Sequence, residues 1–162
     1  KALLAEAGVS DLTLSLKLPP PSYARRGGEI IAAQLREVGI NTEITNVEWA
    51  QWLDDVFKAK NFDMTIVSHT EPMDIGIYAR DDYYFQYGDA DFKAIMADLA
   101  NATDPARRTE LMQAAQKKIA DDYVNGYLFQ LARAGVINAK LKGIWLNAPT
   151  QANDMTAVYW ED

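Results

Sequence analysis

The sequence predicts a three-layer α/β domain built on a mostly parallel sheet. Two observations carry that expectation. Three strand-like runs, Asp11–Leu18, Thr42–Val47 and Phe62–Ser68, are separated by two stretches of helical period. The joints between them are short, which implies right-handed crossovers and parallel neighbours.

Taken in order, Ala2 to Ala7 reads as the end of a helix stopped by Gly8. A chain that opens in mid-helix is expected to be a piece of something longer. Asp11 to Leu18 alternates apolar and polar residues, placing Leu12, Leu14, Leu16 and Leu18 on one face of a strand. Pro19-Pro20-Pro21 ends it, and Ser22 is a plausible N-cap for a helix to about Val38. Ile30, Ile31, Leu35 and Val38 share one side of that helix, and Gly39 stops it.

After the second strand, Trp49, Trp52, Leu53, Val56 and Phe57 fall at helical spacing, which predicts a helix with an aromatic buried face. Residues 69–88, rich in tyrosine, fit neither period, and a long irregular connection of this kind often carries function. Two helices are then expected, Asp89 to about Asn101 and Pro105 to about Tyr123. The second has Thr103 or Asp104 as its cap and Leu111, Met112, Ala115, Ile119 and Tyr123 inward. Tyr127–Ile137 is apolar enough for a buried strand, and Lys140–Trp160 reads as loop with one or two short strands. The core is expected to hold Leu14, Leu16, Ile44, Trp52, Val56, Ile66, Val67 and Leu111.

Composition narrows the function classes. The 162 residues are 49% hydrophobic and 24% charged, a globular balance rather than a disordered one. A net charge of −7 argues against nucleic acid, whose phosphates require clustered Lys and Arg. The absence of cysteine excludes disulfide scaffolds, thiolate metal sites and cysteine nucleophiles. No apolar run approaches the roughly 18 residues of a membrane span.

Ligands of parallel sheets bind beyond the carboxyl ends of the strands. The first strand delivers Tyr23, Arg25 and Arg26 there, and the third delivers His69, Glu71 and Asp74. His69 and Glu71 form an H-x-E, but the deaminase that uses it also needs P-C-x-x-C, and no G-x-S-x-G elbow exists for a hydrolase. No enzyme is expected, and no cofactor. A metal held by His69, Glu71 and Asp74 has suitable ligand types, yet such sets arise often by chance, so none is expected. The open alternatives are a polar lining for a small organic ligand and a plain solvated loop.

Arg25 and Arg26 lie in a helix's first turn, where positive charge opposes the macrodipole. Either an anionic ligand group or Glu29 one turn on offsets them. Tyr78, Tyr83, Tyr84, Phe85 and Tyr87 suit a covering flap over a pocket, or else ordinary loop packing. The Trp49, Trp52 and Phe57 stripe is read as core.

The order of these segments resembles a known family. Lys1-Ala2-Leu3-Leu4-Ala5-Glu6-Ala7-Gly8, the helix ending Gln34-Leu35-Arg36-Glu37-Val38-Gly39-Ile40, Thr42-Glu43-Ile44 and Glu48-Trp49 belong to the set. So do Phe62-Asp63-Met64-Thr65-Ile66-Val67, Phe92-Lys93-Ala94-Ile95-Met96 and Thr103-Asp104-Pro105-Ala106-Arg107-Arg108. Together they resemble extracellular solute-binding proteins of the dipeptide/oligopeptide-binding type, across nearly the whole chain.

That resemblance implies a periplasmic-binding-protein-like fold of type II and, here, the C-terminal lobe of a bilobed clamp. Residues 1–139 would be the ligand-binding lobe, and residues 140–162 would return toward the N-terminal lobe. It also implies a periplasmic or extracellular, envelope-associated protein that hands a small solute to an ABC permease. In peptide-binding relatives, the loop after the third strand carries Gly-Trp and then an Asp that holds the ligand's amino group. Ser68-His69 stands in that place here, and Glu71 or Asp74 is the nearest carboxylate. The implied ligand-binding set is thus His69, Glu71, Asp74, Tyr78, Tyr83, Tyr84, Arg25 and Arg26. The competing function is a ligand-sensing domain of a regulatory protein built on the same lobe.

Overall fold

The computed structural model describes residues 1–71, 74–132, 134–148 and 154–162, which fall into two compact units. The first comprises Lys1–His69 and Asp82–Gln86, and the second Thr70–Asp81 and Tyr87–Asp162.

In the first unit, helix α1 (Ala2–Glu6) precedes strand β1 (Thr13–Leu18), helix α2 (Ser22–Val38) and strand β2 (Asn41–Asn46). Helix α3 (Trp49–Trp52) runs on as a π-helical turn, Leu53–Lys58, before strand β3 (Met64–Thr65). The sheet order is β2-β1-β3 and both pairings are parallel, as the sequence predicts.

Two helical layers sandwich this sheet. Leu16 and Leu18 are fully buried on the face that α2 covers. There the chain needs a glycine, because a Cβ on Gly28 would lie 2.3 Å from Leu18 Cδ1. The other face carries Ser15, Lys17 and Thr65, and the 49–58 helical segment crosses it. The Trp52 indole N–H donates to Thr65 Oγ1 at 2.9 Å, and Lys17 pairs with Asp55 at 3.4 Å. Gly39 ends α2 in the left-handed region, φ 94°, where its N–H and that of Ile40 reach the carbonyls of Arg36 and Leu35.

Several expectations are corrected. The buried stripe of α2 is Ala24, Gly28 and Ala32, while Ile30 is 60% exposed. Small residues win that face because only they let the helix approach the sheet so closely. Pro21 rather than Ser22 caps α2, with no side-chain hydrogen bond. Trp49 and Leu53 are exposed, because the sheet covers the neighbouring Trp52 and Val56 stripe instead. Ile44 is also exposed, on an edge strand that pairs on one side with β1.

Strand β3 is two residues long, not seven, because side chains replace the ladder around it. Asp63 accepts from the Ser15 N–H and hydroxyl at 2.8 and 2.7 Å, and Thr65 Oγ1 donates to the Lys17 carbonyl at 2.7 Å.

The second unit contains a 3-10 turn (Asp74–Ala79), helices α4 (Ala90–Asn101) and α5 (Pro105–Asp121), and the antiparallel pair β4 (Leu141–Lys142) and β5 (Tyr159–Trp160). Asp89 caps α4 by accepting from the Phe92 N–H at 2.7 Å, and Asp104 caps α5 through Arg107 N–H at 2.8 Å. Phe92, Ala115 and Ile119 form the buried centre, flanked by Ile75, Tyr78, Tyr87 and Met96. Tyr123, expected inward, lies past the end of α5 at φ 53° and is exposed. The expected strand at Tyr127–Ile137 is absent from the described residues of that segment, and Phe129, Leu131 and Val136 are exposed. A buried strand needs partners for its N–H and C=O groups, and the described residues offer this run none.

Candidate functional site

Parallel pairing puts the carboxyl ends of β1, β2 and β3 on one edge of the first unit's sheet. Three side chains define that edge. Tyr23, in the first turn of α2, accepts a hydrogen bond from the Ser68 backbone N–H at 3.0 Å. Arg25 reaches the end of β2, donating through Nη2 to Glu48 Oε1 at 3.2 Å and to the Val47 carbonyl at 3.4 Å. Glu48, not Glu29, therefore balances Arg25. Arg26 is exposed on the same turn.

The Glu48 contact escaped sequence reasoning. Its signal was present, since Glu48 follows the second strand directly, but crossover geometry decides which charge an arginine meets.

His69 follows Ser68 and is exposed. Its ring lies nearly parallel to that of Tyr84, at 6° and 6.1 Å between centroids, and its Nε2 sits 3.0 Å from the Tyr84 hydroxyl. Tyr84 is not a flap. Its ring is buried among Trp52, Phe57, Phe62, Tyr83 and Phe85, with centroids between 5.0 and 6.1 Å. Burial, and then the neighbouring phenols of Tyr83 and Tyr23, push its ionisation well above the ordinary tyrosine value. Tyr83 stays half-buried beside Phe57.

The remaining candidates belong to the second unit. Glu71 is exposed and accepts from the Thr70 N–H through Oε2 at 3.1 Å. Asp74 is half-buried and opens the 3-10 turn. Tyr78 packs edge-on against Phe92 and Tyr87, and its hydroxyl meets the Asn125 amide and, at 3.2 Å, the Tyr127 hydroxyl. Tyr87 donates to Asp122 at 2.5 Å, and burial first, with that carboxylate second, leaves its phenol pushed up to about 12. Lys118 bridges Asp122 and Asp89, whose hydrogen bonds raise its own ionisation. This cluster anchors the start of α4 to the end of α5.

The family of bacterial extracellular solute-binding proteins, family 5 (middle region), matches residues 1–91. No curated protein matches the sequence. Among solved structures, the chain is similar to the murein tripeptide binding protein of Escherichia coli, with TM-score 0.77 and 19% identity over 99% of this chain and 33% of that one. It is also similar to a dipeptide binding protein from a Pseudoalteromonas species in complex with Met-Leu, with TM-score 0.73 and 20% identity over 99% of this chain and 34% of that one. A third is a periplasmic binding protein from Helicobacter pylori in complex with the peptide STSA, with TM-score 0.73 and 18% identity over 99% and 34%. The chain spans about a third of the length of these structures, and at such identities the likeness establishes the fold.

Proposed function

The chain belongs to the bacterial extracellular solute-binding proteins of family 5, and on that footing we propose that it is part of the solute-capturing component of an ABC importer. The observation that carries this reading is the tie between β1 and β3 at their carboxyl ends. Tyr23 and Ser68 hold the two exits together, and His69 follows at the edge where ligands of parallel sheets bind.

The solute is a short peptide or peptide-like molecule. The three structural relatives are named for, or complexed with, short peptides. A peptide offers an ammonium group for a carboxylate and carbonyl oxygens for N–H donors. Arg25, Arg26, His69 and Tyr83 are the proposed contacts of the first unit, with Tyr84 acting through His69 from behind. Glu71, Asp74 and Tyr78 are those of the second. Residues 140–162 return toward the rest of the protein, whose other lobe completes the clamp. No helix among the described residues is long and apolar enough to cross a membrane. In this proposal the importer's permease carries the captured solute inward. Capture makes and breaks no covalent bond, and no residue is assigned a catalytic role.

Native mass spectrometry of the whole protein, purified without refolding, tests the proposal. A retained mass that fragments as a short peptide is expected. A retained sugar or metal chelate would overturn the peptide class.

A further inference from the structure

We propose that Tyr84 is a positioning residue that sets the tautomer of His69, keeping the ring proton on Nδ1, so that this nitrogen donates to whatever acceptor it meets. This rests on the reading that His69 faces the solute. Its own evidence is the pairing of a buried phenol with an exposed imidazole.

Tyr84 is 6% exposed and packed among the rings of Trp52, Phe57, Phe62, Tyr83 and Phe85; the phenols of Tyr83 and Tyr23 lie near it without a hydrogen bond to its hydroxyl. Among the described residues its hydrogen-bond partner is His69 Nε2, at 3.0 Å. A neutral imidazole has one N–H and one lone pair. If Nε2 carried the proton, it would donate to the phenol oxygen and leave the buried phenol proton without an acceptor, which is the costly arrangement. With the proton on Nδ1, the phenol donates to Nε2 and both groups are satisfied. The packed ring holds the hydroxyl in place, and burial raises its ionisation, which favours the protonated phenol that can donate.

The consequence is a chemical preference. Nδ1 then acts as a donor, so whatever meets it, from the protein or the solute, is an acceptor such as a carbonyl or carboxylate oxygen. A solute's ammonium group is excluded from that nitrogen and left to the carboxylates.

His69 is the sole histidine, so the two ring nitrogens of the ¹⁵N-labelled 162-residue chain can be assigned without ambiguity. Long-range ¹H–¹⁵N correlation spectra, taken where the imidazole is neutral, read the tautomer directly. The expected spectrum shows Nδ1 at a protonated shift and Nε2 at a lone-pair shift. In Tyr84→Phe, which keeps the packed ring, that separation should collapse toward the ratio of an unstructured histidine peptide. A dominant Nε2–H form in the unaltered chain overturns the proposal, whether or not the variant folds. So does an unchanged tautomer in a folded Tyr84→Phe. If the tautomer is as stated but His69→Ala leaves dipeptide affinity of the whole protein unchanged, the solute-facing premise fails and the Tyr84–His69 relation stands.

Discussion

The phenol oxygen of Tyr23 accepts the Ser68 backbone N–H at 3.0 Å, joining residues 45 apart in the chain. One end of this bond sits at the start of α2 and the other just beyond β3, so it fixes the exit of one strand relative to another. In Tyr23→Phe the ring remains and the acceptor is lost. A net loss of about 1 kcal/mol is expected, the usual worth of one intramolecular hydrogen bond. Urea unfolding should show a lower midpoint with an unchanged slope.

Gly27 and Gly28 offer a matched pair. A Cβ on Gly28 would press within 2.3 Å of Leu18 Cδ1, whereas one on Gly27 would rest 3.7 Å from Ile66 Cδ1, an ordinary contact. Alanine in a helix gains roughly 1 kcal/mol over glycine, and overpacking a full core costs about 1–3 kcal/mol. Gly27→Ala should therefore raise the melting temperature and Gly28→Ala lower it.

This pair also shows what was legible in the sequence. The leucine alternation from Leu12 to Leu18, the stop at Gly39 and the Asp104-Pro105 start of α5 are local signals, and each appears where the pattern put it. The inner face of α2 is not legible in the same way, because hydrophobicity favours Ile30, while close packing against Leu18 selects Ala24, Gly28 and Ala32. Strand β3 shrank because Asp63 and Ser15 bond through side chains, a pairing that no periodicity encodes. At the site, the strand exits were legible through the sheet rule. The Arg25–Glu48 pair was not, because it depends on where a crossover returns.

Asp63 carries a pH signature. The Ser15 backbone N–H, and then its hydroxyl, stabilise the carboxylate and hold its ionisation below the ordinary value. A depressed folded value means the contribution is present above the unfolded value, near pH 3.9, and is lost as pH falls through the folded one. Ser15→Ala removes part of that stabilisation. Its stability deficit should thus be largest near neutral pH and shrink as the solution is acidified below the unfolded value. Guanidinium titrations across that window measure it, and a deficit independent of pH would contradict the assignment.

Asp89 has two duties that substitution separates. It caps α4 through Phe92 N–H and it pairs with Lys118 at 3.1 Å. Asparagine caps as well as aspartate does, so Asp89→Asn should remove only the ion pair and change stability little. Asp89→Ala removes the cap too and should lower the midpoint of thermal or denaturant unfolding clearly more than Asp89→Asn does.

The residues following β3 are proposed to hold the solute. Calorimetry on the whole protein with its peptide, comparing Glu71→Ala and Asp74→Ala with the unaltered sequence, tests it most directly. Truncating one partner of a desolvated charge pair typically costs about 2–5 kcal/mol, and each 1.4 kcal/mol is about a decade in affinity. At least one variant should therefore bind more than about tenfold more weakly while folding normally. Unchanged affinity in both variants, with binding abolished by Tyr83→Ala, would contradict the account and point to a solute held by stacking.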